Sequence, residues 1–562
     1  MSELISSWLN EDMESLNDSC SDDSENDENT ISVERHNEEN YESDEPTENT
    51  SDESEPDDEG ENEYYLGKDK ITKWKKNPPP RNTRTAHCNI ITHLPGVKPH
   101  ARNAKTIIES WSLFFPDNVI QEIVTCTNIH LTKIRINYGR ERDVLDTSVV
   151  EIRALFGLLY IAGMMKSNHL NLSDLWSNDG LSPEYFRAVM SKTRFYLLLR
   201  ALRFDNINTR SERKKFDKLA PIRTIFDEFV DRCKLNYTVG EYCTIDEMLE
   251  GFRGKCSFRQ YIPNKPNKYG TKIFSLVDAR LFYTTNMEVY VGKQPNGPYN
   301  QDNSASSIVK RMISPISKTG RNLTIDNWFT SVPLAVDLLQ NHRITMVGTI
   351  RKNKREIPPL FLDTKKREVN SSKFGYSKEC LLVSYVPKKN KNVLMLSTMH
   401  KQGDIDVESG EQRVDVVDEL KAEYSVARIS CRWPLTIFFS LMNIAGINSQ
   451  IIYKANTDTT ISRRQFLKSL GQDLCKPFME QRLNCKNLSF DLRKQINRFT
   501  GQISTPTQED PRPTERVKCA YCPARKNRYT VVKCARCSGP LCKEHTLALC
   551  NLCNGNHRDL DD

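Results

Sequence analysis

The chain has 562 residues, 38% of them apolar and 27% charged, which excludes a single hydrophobic core and fits a soluble multidomain protein with disordered parts. Its formal net charge of +6 hides an asymmetry: residues 1–65 hold 25 Asp and Glu and one basic residue, Arg35, which leaves 79 Lys and Arg against 49 acidic residues in 66–562, an excess of +30. A body that basic points to a polyanionic partner, most simply nucleic acid, with an ordinary solvated basic surface as the plain alternative.

Residues 1–65 lack the apolar content to fold and read as a disordered acidic tail. They turn acidic within a few residues of Met1, unlike a secretory signal, so the chain reads as intracellular, with its 17 Cys reduced or bound to metal. Residues 66–103 read as a basic linker. Its stretch "KDKITKWKKNPPPRNTRTAH" (Lys68–His87) either tracks phosphates or merely connects. From 104 to 240 the pattern is helical, most clearly in "SVVEIRALFGLLYIAGMM" (Ser148–Met165).

The period changes after Tyr242. "KYGTKIFSLVDAR" (Lys268–Arg280) and "LFYTTNMEVYVG" (Leu281–Gly292) read as strands of one meander with turn residues Thr284–Asn286. "RNLTIDNWF" (Arg321–Phe329) and "RITMVGTIR" (Arg343–Arg351) read as further strands. Residues 241–351 are thus the first part of a mixed α/β core. Residues 352–413 are an insertion, with a long-turned hairpin over "ECLLVSYVPKKNKNVLMLSTM" (Glu379–Met399), and 414–503 form the second, helical part. The most apolar stretch, Trp433 to Ile452, carries Asn443, Asn448, Ser449 and Gln450. It reads as a buried helix, so no membrane partner is expected. Residues 504–516 are a linker, and 517–557 a cysteine-rich module.

Three places put Asp where a metal would explain it. Asp278 and Asp326 each end an apolar strand, and Asp415 and Asp418 lie three apart, on one face of a helical stretch. Clustered carboxylates repel one another unless a cation joins them. Two Mg²⁺ (or Mn²⁺) ions about 4 Å apart would do so and would suit phosphoryl transfer. The plain alternatives are a turn or helix cap at each strand end, with Asp326 capping the helix that follows, and a solvated helix face for the other two. Asp246 and Glu247, in "TIDEMLEGFRGKC", read as structural; no phosphate loop of the G-x4-G-K-[ST] type occurs.

The cysteine-rich end offers Cys519, Cys522, Cys534, Cys537, Cys542, His545, Cys550 and Cys553 in pairs two residues apart, the ligand set of two tetrahedral Zn²⁺ sites. The preferred pairing is a cross-brace, with Cys519, Cys522, Cys542 and His545 on one ion and Cys534, Cys537, Cys550 and Cys553 on the other; sequential pairing also fits. A module this small needs the metals to fold. Its basic flanks favour DNA over a histone tail and argue against a ubiquitin ligase, which would need a flat apolar surface.

Taken together, "TIDEMLEGFRGKCSFRQYIPNKPNKYGTKIFSLVDA", "NLTIDNWFTSVPLA", "VDVVDELKAEYSVAR", "RWPLTIFFSLMNIAGINSQIIY" and the terminal Cys/His pattern resemble the piggyBac family of DNA transposases over roughly residues 100–562. The resemblance implies a helical N-terminal dimerisation and DNA-binding region, an RNase H-like core with an inserted β-containing domain, and a C-terminal zinc module. It implies a DDD metal site of Asp278, Asp326 and Asp415, with Asp418 assisting. It also implies cut-and-paste transposition at TTAA-flanked inverted repeats through hairpin ends, by a nuclear homodimer on double-stranded DNA. Trp328 and Trp433 are candidates for stacking on flipped bases, and Phe329 for the core. Arg351, Lys352, Lys354, Arg355, Lys388, Lys389 and Lys391 are candidate phosphate contacts. The competing expectation is a domesticated descendant that binds DNA or chromatin without cutting it.

Overall fold

The computed structural model describes residues 63–80, 90–140, 144–177, 179–180, 182–263, 265–365, 367–402, 415–485, 488–501, 516–534 and 539–546. These fall into two compact units. One is built from the chain up to Leu170 together with Leu197–Leu474, the other from Asn171–Tyr196 together with the chain from Cys475 onward.

The first unit is organised on a sheet. Its strands are β1 (Tyr64–Leu66), β2 (Lys73–Lys75), β3 (Gly96–Val97), β4 (Tyr237–Thr238), β5 (Tyr242–Gly251), β6 (Gln260–Tyr261), β7 (Tyr269–Asp278), β8 (Thr284–Val289), β9 (Asn322–Ile325), β10 (Thr345–Thr349), β11 (Ser372–Tyr376), β12 (Leu381–Lys388) and β13 (Lys391–Ser397). Eleven of them form one sheet in the order β1-β2-β11-β12-β13-β10-β9-β5-β7-β6, with β8 also on β7, while β3 and β4 pair separately. Strand β9 runs parallel to both β5 and β10, and the hairpins are antiparallel. The expected insertion therefore extends the core sheet: β13 pairs with β10, and β11 and β12 continue outward from it.

The principal helices are α1 (Ile107–Ser112), α2 (Asp117–Ile134), α3 (Val149–Met164), α4 (Arg223–Asn236), α5 (Val332–His342), α6 (Asp415–Glu423) and α7 (Trp433–Thr457). Thr106 and Glu109 form a reciprocal capping box at the start of α1, and Ser148 caps α3. Helix α7 is long and apolar enough to cross a membrane, but most of it is buried inside the fold. Three of its polar residues hold backbone groups. Asn448 accepts from the Thr284 N–H and donates to the Thr284 carbonyl, Asn443 accepts from the Val426 N–H, and Gln450 donates to the Ile461 carbonyl. Phe438 of α7 meets Phe115, Phe156 and Phe204 at ring separations of 5.7, 5.3 and 4.4 Å. Truncating such a buried ring costs about 3–5 kcal/mol.

Three expectations need correction. The basic stretch from residue 66 is no plain linker, because β1 and β2 form a hairpin that joins the sheet at β11. Trp74 is fully buried there, and a single tryptophan among lysines gave little periodic signal. The meander turns at Ala279–Tyr283, not at Thr284–Asn286, which already belong to β8; Phe282 takes the left-handed conformation the reversal needs (φ 63°). The β12–β13 connection is tight, with Lys388 paired to Lys391 and Asn390 at φ 63°.

In the second unit the helix Glu184–Val189 packs on Phe490–Thr500, with Tyr185 and Phe499 in edge contact at 5.0 Å. The cysteine-rich segment adds a small hairpin, Val517–Lys518 against Tyr529–Thr530.

Candidate active site and metal centre

The strand registers decide which aspartates meet. Ile245 of β5 is level with Ile325, the last residue of β9, so the residues that follow, Asp246 and Asp326, come close together, and the charge of Asp326 acts on Asp246. Thr349 of β10 follows the pair Gly348–Ile325, and its hydroxyl donates to Asp326 Oδ1 at 3.4 Å. Gly348 permits this crowding: a Cβ there would lie 2.5 Å from the Ile325 carbonyl oxygen and 2.6 Å from Thr330 Oγ1. Asp326 is exposed, and it does not cap α5, because Ser331 holds that position and accepts from the Leu334 N–H.

Asp278 is elsewhere. It pairs with Cys243, three residues from Asp246 along β5, which is about 10 Å. Residues opposite one another on antiparallel strands share a face, and Asp246 is opposite Ser275. Asp278, an odd number of positions further, points to the other face. It is 1% exposed and already saturated. Its Oδ2 accepts from the Gly240 N–H at 2.5 Å, and its Oδ1 from the N–H groups of Arg280 and Leu281, each at 2.9 Å. A Cβ at Gly240 would stand 3.0 Å from that Oδ2. The expectation that Asp278 shares a metal with Asp326 is therefore corrected. Asp278 closes the β7–β8 turn, and Asp246, read as structural from the sequence, is the carboxylate that the sheet sets beside Asp326.

Asp246 carries the electrostatic signature of that position. Burial, then the charges of Glu247 and Asp326, push its carboxyl up to about 7. Lys265 opposes this, and its ammonium donates to the Glu247 carbonyl at 3.4 Å. Glu247 itself faces the other way, towards Lys272 at 3.8 Å.

Helix α6 brings Asp418 to the face that carries Asp246. Its Lys421, 5% exposed, is buried against β5, where its ammonium bonds Glu250 Oε1 and lies 3.3 Å from Met248 Sδ. Ser440 of α7 donates to the same Glu250 oxygen at 2.7 Å. Asp246, Met248 and Glu250 alternate along β5 and share one face. Asp418 Oδ1 is 3.4 Å from Lys421 Nζ. Burial pushes the Asp418 carboxyl up, with Glu250 adding to that and the lysines 421 and 265 opposing it. Lys265 thus acts on both Asp246 and Asp418. Asp415 is the first residue of α6; its side chain lies outside the described residues. The sequence reading missed the Lys421–Glu250–Ser440 clamp, because Lys421 lies in the charged run "DELKAE" and Glu250 in "DEMLEG", where neither stands out.

Among the DNA-contact candidates, Trp328 is stacked on Phe274 at 5.8 Å and 13°, with Lys272 Nζ 4.9 Å from its ring, so one face is already covered. Trp433 is half-buried, edge-on to Phe258 at 4.9 Å, and Phe329 is core. Arg351 donates to Asn327 Oδ1 at 3.3 Å, Lys354 is half-buried, and Lys352 and Arg355 are exposed. Lys388, Lys389 and Lys391 crowd the exposed tip of the β12–β13 hairpin.

At the cysteine-rich end the ligand atoms of Cys519, Cys522, Cys542 and His545 all lie within 4.8 Å of one another. His545 Nδ1 is 3.3, 3.5 and 3.7 Å from the sulfurs of Cys542, Cys519 and Cys522. Ligands on a tetrahedral ion with arms of about 2.0–2.3 Å stand at such separations, so the chemistry and spacing fit Zn²⁺. Of the second set, Cys534 is described, and Cys537, Cys550 and Cys553 lie outside the described residues.

Comparison with known proteins adds three findings. The family model described as Transposase IS4 matches residues 108–450. The human PiggyBac transposable element-derived protein 3 is 24% identical over 277 residues, 48% of this chain, and the match spans only 44% of that protein's length. A piggyBac transposase synaptic complex with hairpin DNA, solved by cryo-electron microscopy, superposes with a TM-score of 0.73 at 36% identity, covering 82% of this chain and all of that one.

Proposed function

The chain belongs to the piggyBac family of transposases, and on that premise we propose that it is a cut-and-paste DNA transposase whose metal-holding carboxylates are Asp246, Asp326, Asp415 and Asp418. One observation carries the assignment: Asp246 and Asp326 follow the level pair Ile245–Ile325, and Asp246 is on the face of β5 to which Lys421 clamps α6. The order β8-β7-β5-β9-β10 supports reading the core as RNase H-like.

The residues fit a divalent metal, because the carboxyl of Asp246 is held up by burial and then by its acidic neighbours Glu247 and Asp326, and a cation arriving there would favour its ionised form. Bound there, Mg²⁺ or Mn²⁺ would favour deprotonation of an attacking hydroxyl and neutralise charge on the phosphodiester. The carboxylates would fix that centre, Lys421 would hold α6 in place, and the basic surface would retain the DNA. Water attack frees a 3′-hydroxyl. That hydroxyl attacks the opposite strand and leaves a hairpin, which is opened and joined at a new TTAA. No covalent enzyme intermediate is needed, so no Ser, Tyr or Cys nucleophile is assigned. The similarity to a piggyBac complex with hairpin DNA supports this route. Action on inverted repeats in chromosomal DNA implies a nuclear homodimer. Two structural Zn²⁺ ions would fold the cysteine-rich module.

The second reading is a transposon-derived DNA- or chromatin-binding protein without cleavage, favoured by the description of the human relative as element-derived. Purified protein incubated with Mg²⁺ and DNA carrying the repeats that flank its gene decides between them on a denaturing gel. Nicks and hairpins that disappear with Asp326→Asn support the transposase. Binding without any cleavage by the unaltered protein supports the second reading.

A further inference from the structure

We propose that the β1–β2 hairpin is a DNA-backbone contact that continues the basic loop after β10; this rests on the transposase reading. The hairpin is anchored with some care. Trp74 is fully buried, and its indole N–H donates to the Glu356 carbonyl at 2.8 Å. Tyr65 meets Phe361 edge-on at 5.2 Å. The turn is fixed by Asp69, whose carboxylate accepts from the N–H groups of Ile71 and Thr72 and from the Thr72 hydroxyl.

What this anchored element presents is charge. Lys68, Lys70, Lys73, Lys75 and Lys76 are all exposed, and among the described residues none of them meets a carboxylate. A hairpin that only closed a sheet edge would not need five cations on the body of a chain already +30. Two are pre-set over aromatic rings, Lys73 Nζ 4.7 Å from the Tyr64 centroid and Lys76 Nζ 5.5 Å from that of Tyr65. Between the hairpin and β11 lies a cleft of 620 Å³ to which Lys76, Lys373 and Tyr65 contribute, with Glu368 the one carboxylate on its wall.

The hairpin is also joined to the candidate active site. Lys68 Nζ donates to the Lys352 carbonyl at 2.8 Å, the Asp69 N–H to the Arg355 carbonyl at 3.0 Å, and the Lys68 N–H to the Ile357 carbonyl at 3.2 Å. That loop begins two residues after Thr349, which touches Asp326. Duplex leaving the carboxylates along Lys352 and Arg355 would meet the hairpin lysines next. The chemistry that fits a row of exposed ammonium groups without carboxylate partners among the described residues is a polyphosphate backbone, read without regard to base sequence.

The test is the salt dependence of binding to a duplex carrying the element's end, for the full chain and for a variant with Lys68, Lys70, Lys73, Lys75 and Lys76 all changed to Ala. Each lost phosphate contact makes the slope of log K against log salt shallower by about 0.9, so a loss of about 3 is expected, with affinity down about tenfold or more at 0.1 M salt. The all-Arg variant should restore it, and thermal stability should stay level, since Trp74 is untouched. A slope and affinity equal to those of the unaltered protein would overturn this proposal alone. Failure of the unaltered protein to bind the duplex would overturn it together with the reading beneath it.

Discussion

Two aspartates stand at strand ends of one sheet, on either side of β5, and have opposite fates. Asp278 turns into the protein, where three backbone N–H groups consume its carboxylate. Asp326 stays exposed, with only a long contact to the Thr349 hydroxyl on its carboxylate among the described residues, and the cap of the following helix is supplied by Ser331. A carboxylate that already satisfies a turn has little left for a metal; one whose turn is satisfied by other groups has its oxygens to spare. The difference lies in the surroundings of each strand end, since both run an apolar strand into Asp.

Three substitutions sharpen that contrast. The largest effect is expected at the clamp that sets α6 beside Asp246. Lys421→Met leaves Glu250 buried without its cation and should lower stability by about 3–5 kcal/mol in denaturant unfolding. Adding Glu250→Leu should recover most of the loss, because an apolar pair replaces an ion pair; a double variant as unstable as the single one would mean that the clamp is not the reason. Next, Asp278→Asn presents an amide N–H₂ to backbone donors and should cost about 1–3 kcal/mol, read as a lower melting temperature.

The smallest effect has the opposite sign. Asp246 is held up to about 7 by burial, Glu247 and Asp326, above its ordinary value of 3.8. A raised carboxyl makes the folded state bind more protons than the unfolded one. Wild-type stability from this group is therefore greatest below about pH 4 and falls as pH rises through about 7. Asp246→Asn should be more stable than the wild type at pH 8 without divalent ions, by on the order of 1 kcal/mol, and equal to it near pH 4. Saturating Mn²⁺ should stabilise the wild type and not the variant. An Asn variant that is less stable than the wild type at pH 8 would show that Asp246 is a structural residue after all.

Much of the site was legible in the sequence. Asp326 in "NLTIDNWF", Asp418 in "VDVVDELK", and the set Cys519, Cys522, Cys542 and His545 are local patterns, and local patterns survive without knowledge of the fold. The partner of Asp326 was not legible, because it depends on register. Asp246 and Asp278 lie 32 residues apart on paired strands, and only the alignment of Ile245 with Ile325 sets Asp246 near Asp326. A strand-end position pointed to Asp278 because strand ends commonly carry chemistry, whereas parity across the ladder put it on the wrong face. The lysine hairpin was hidden for a compositional reason: the Pro and Lys around Trp74 look like linker, and its short strands form only by joining β11.

The most direct measurement is Mg²⁺-dependent cleavage of end-bearing DNA by Asp246→Asn and Asp278→Asn, side by side and below the melting temperature of each. The account predicts no nicks from Asp246→Asn, despite an intact fold, and nicks and hairpins from Asp278→Asn. Cleavage by Asp246→Asn together with a folded but inactive Asp278→Asn would contradict it.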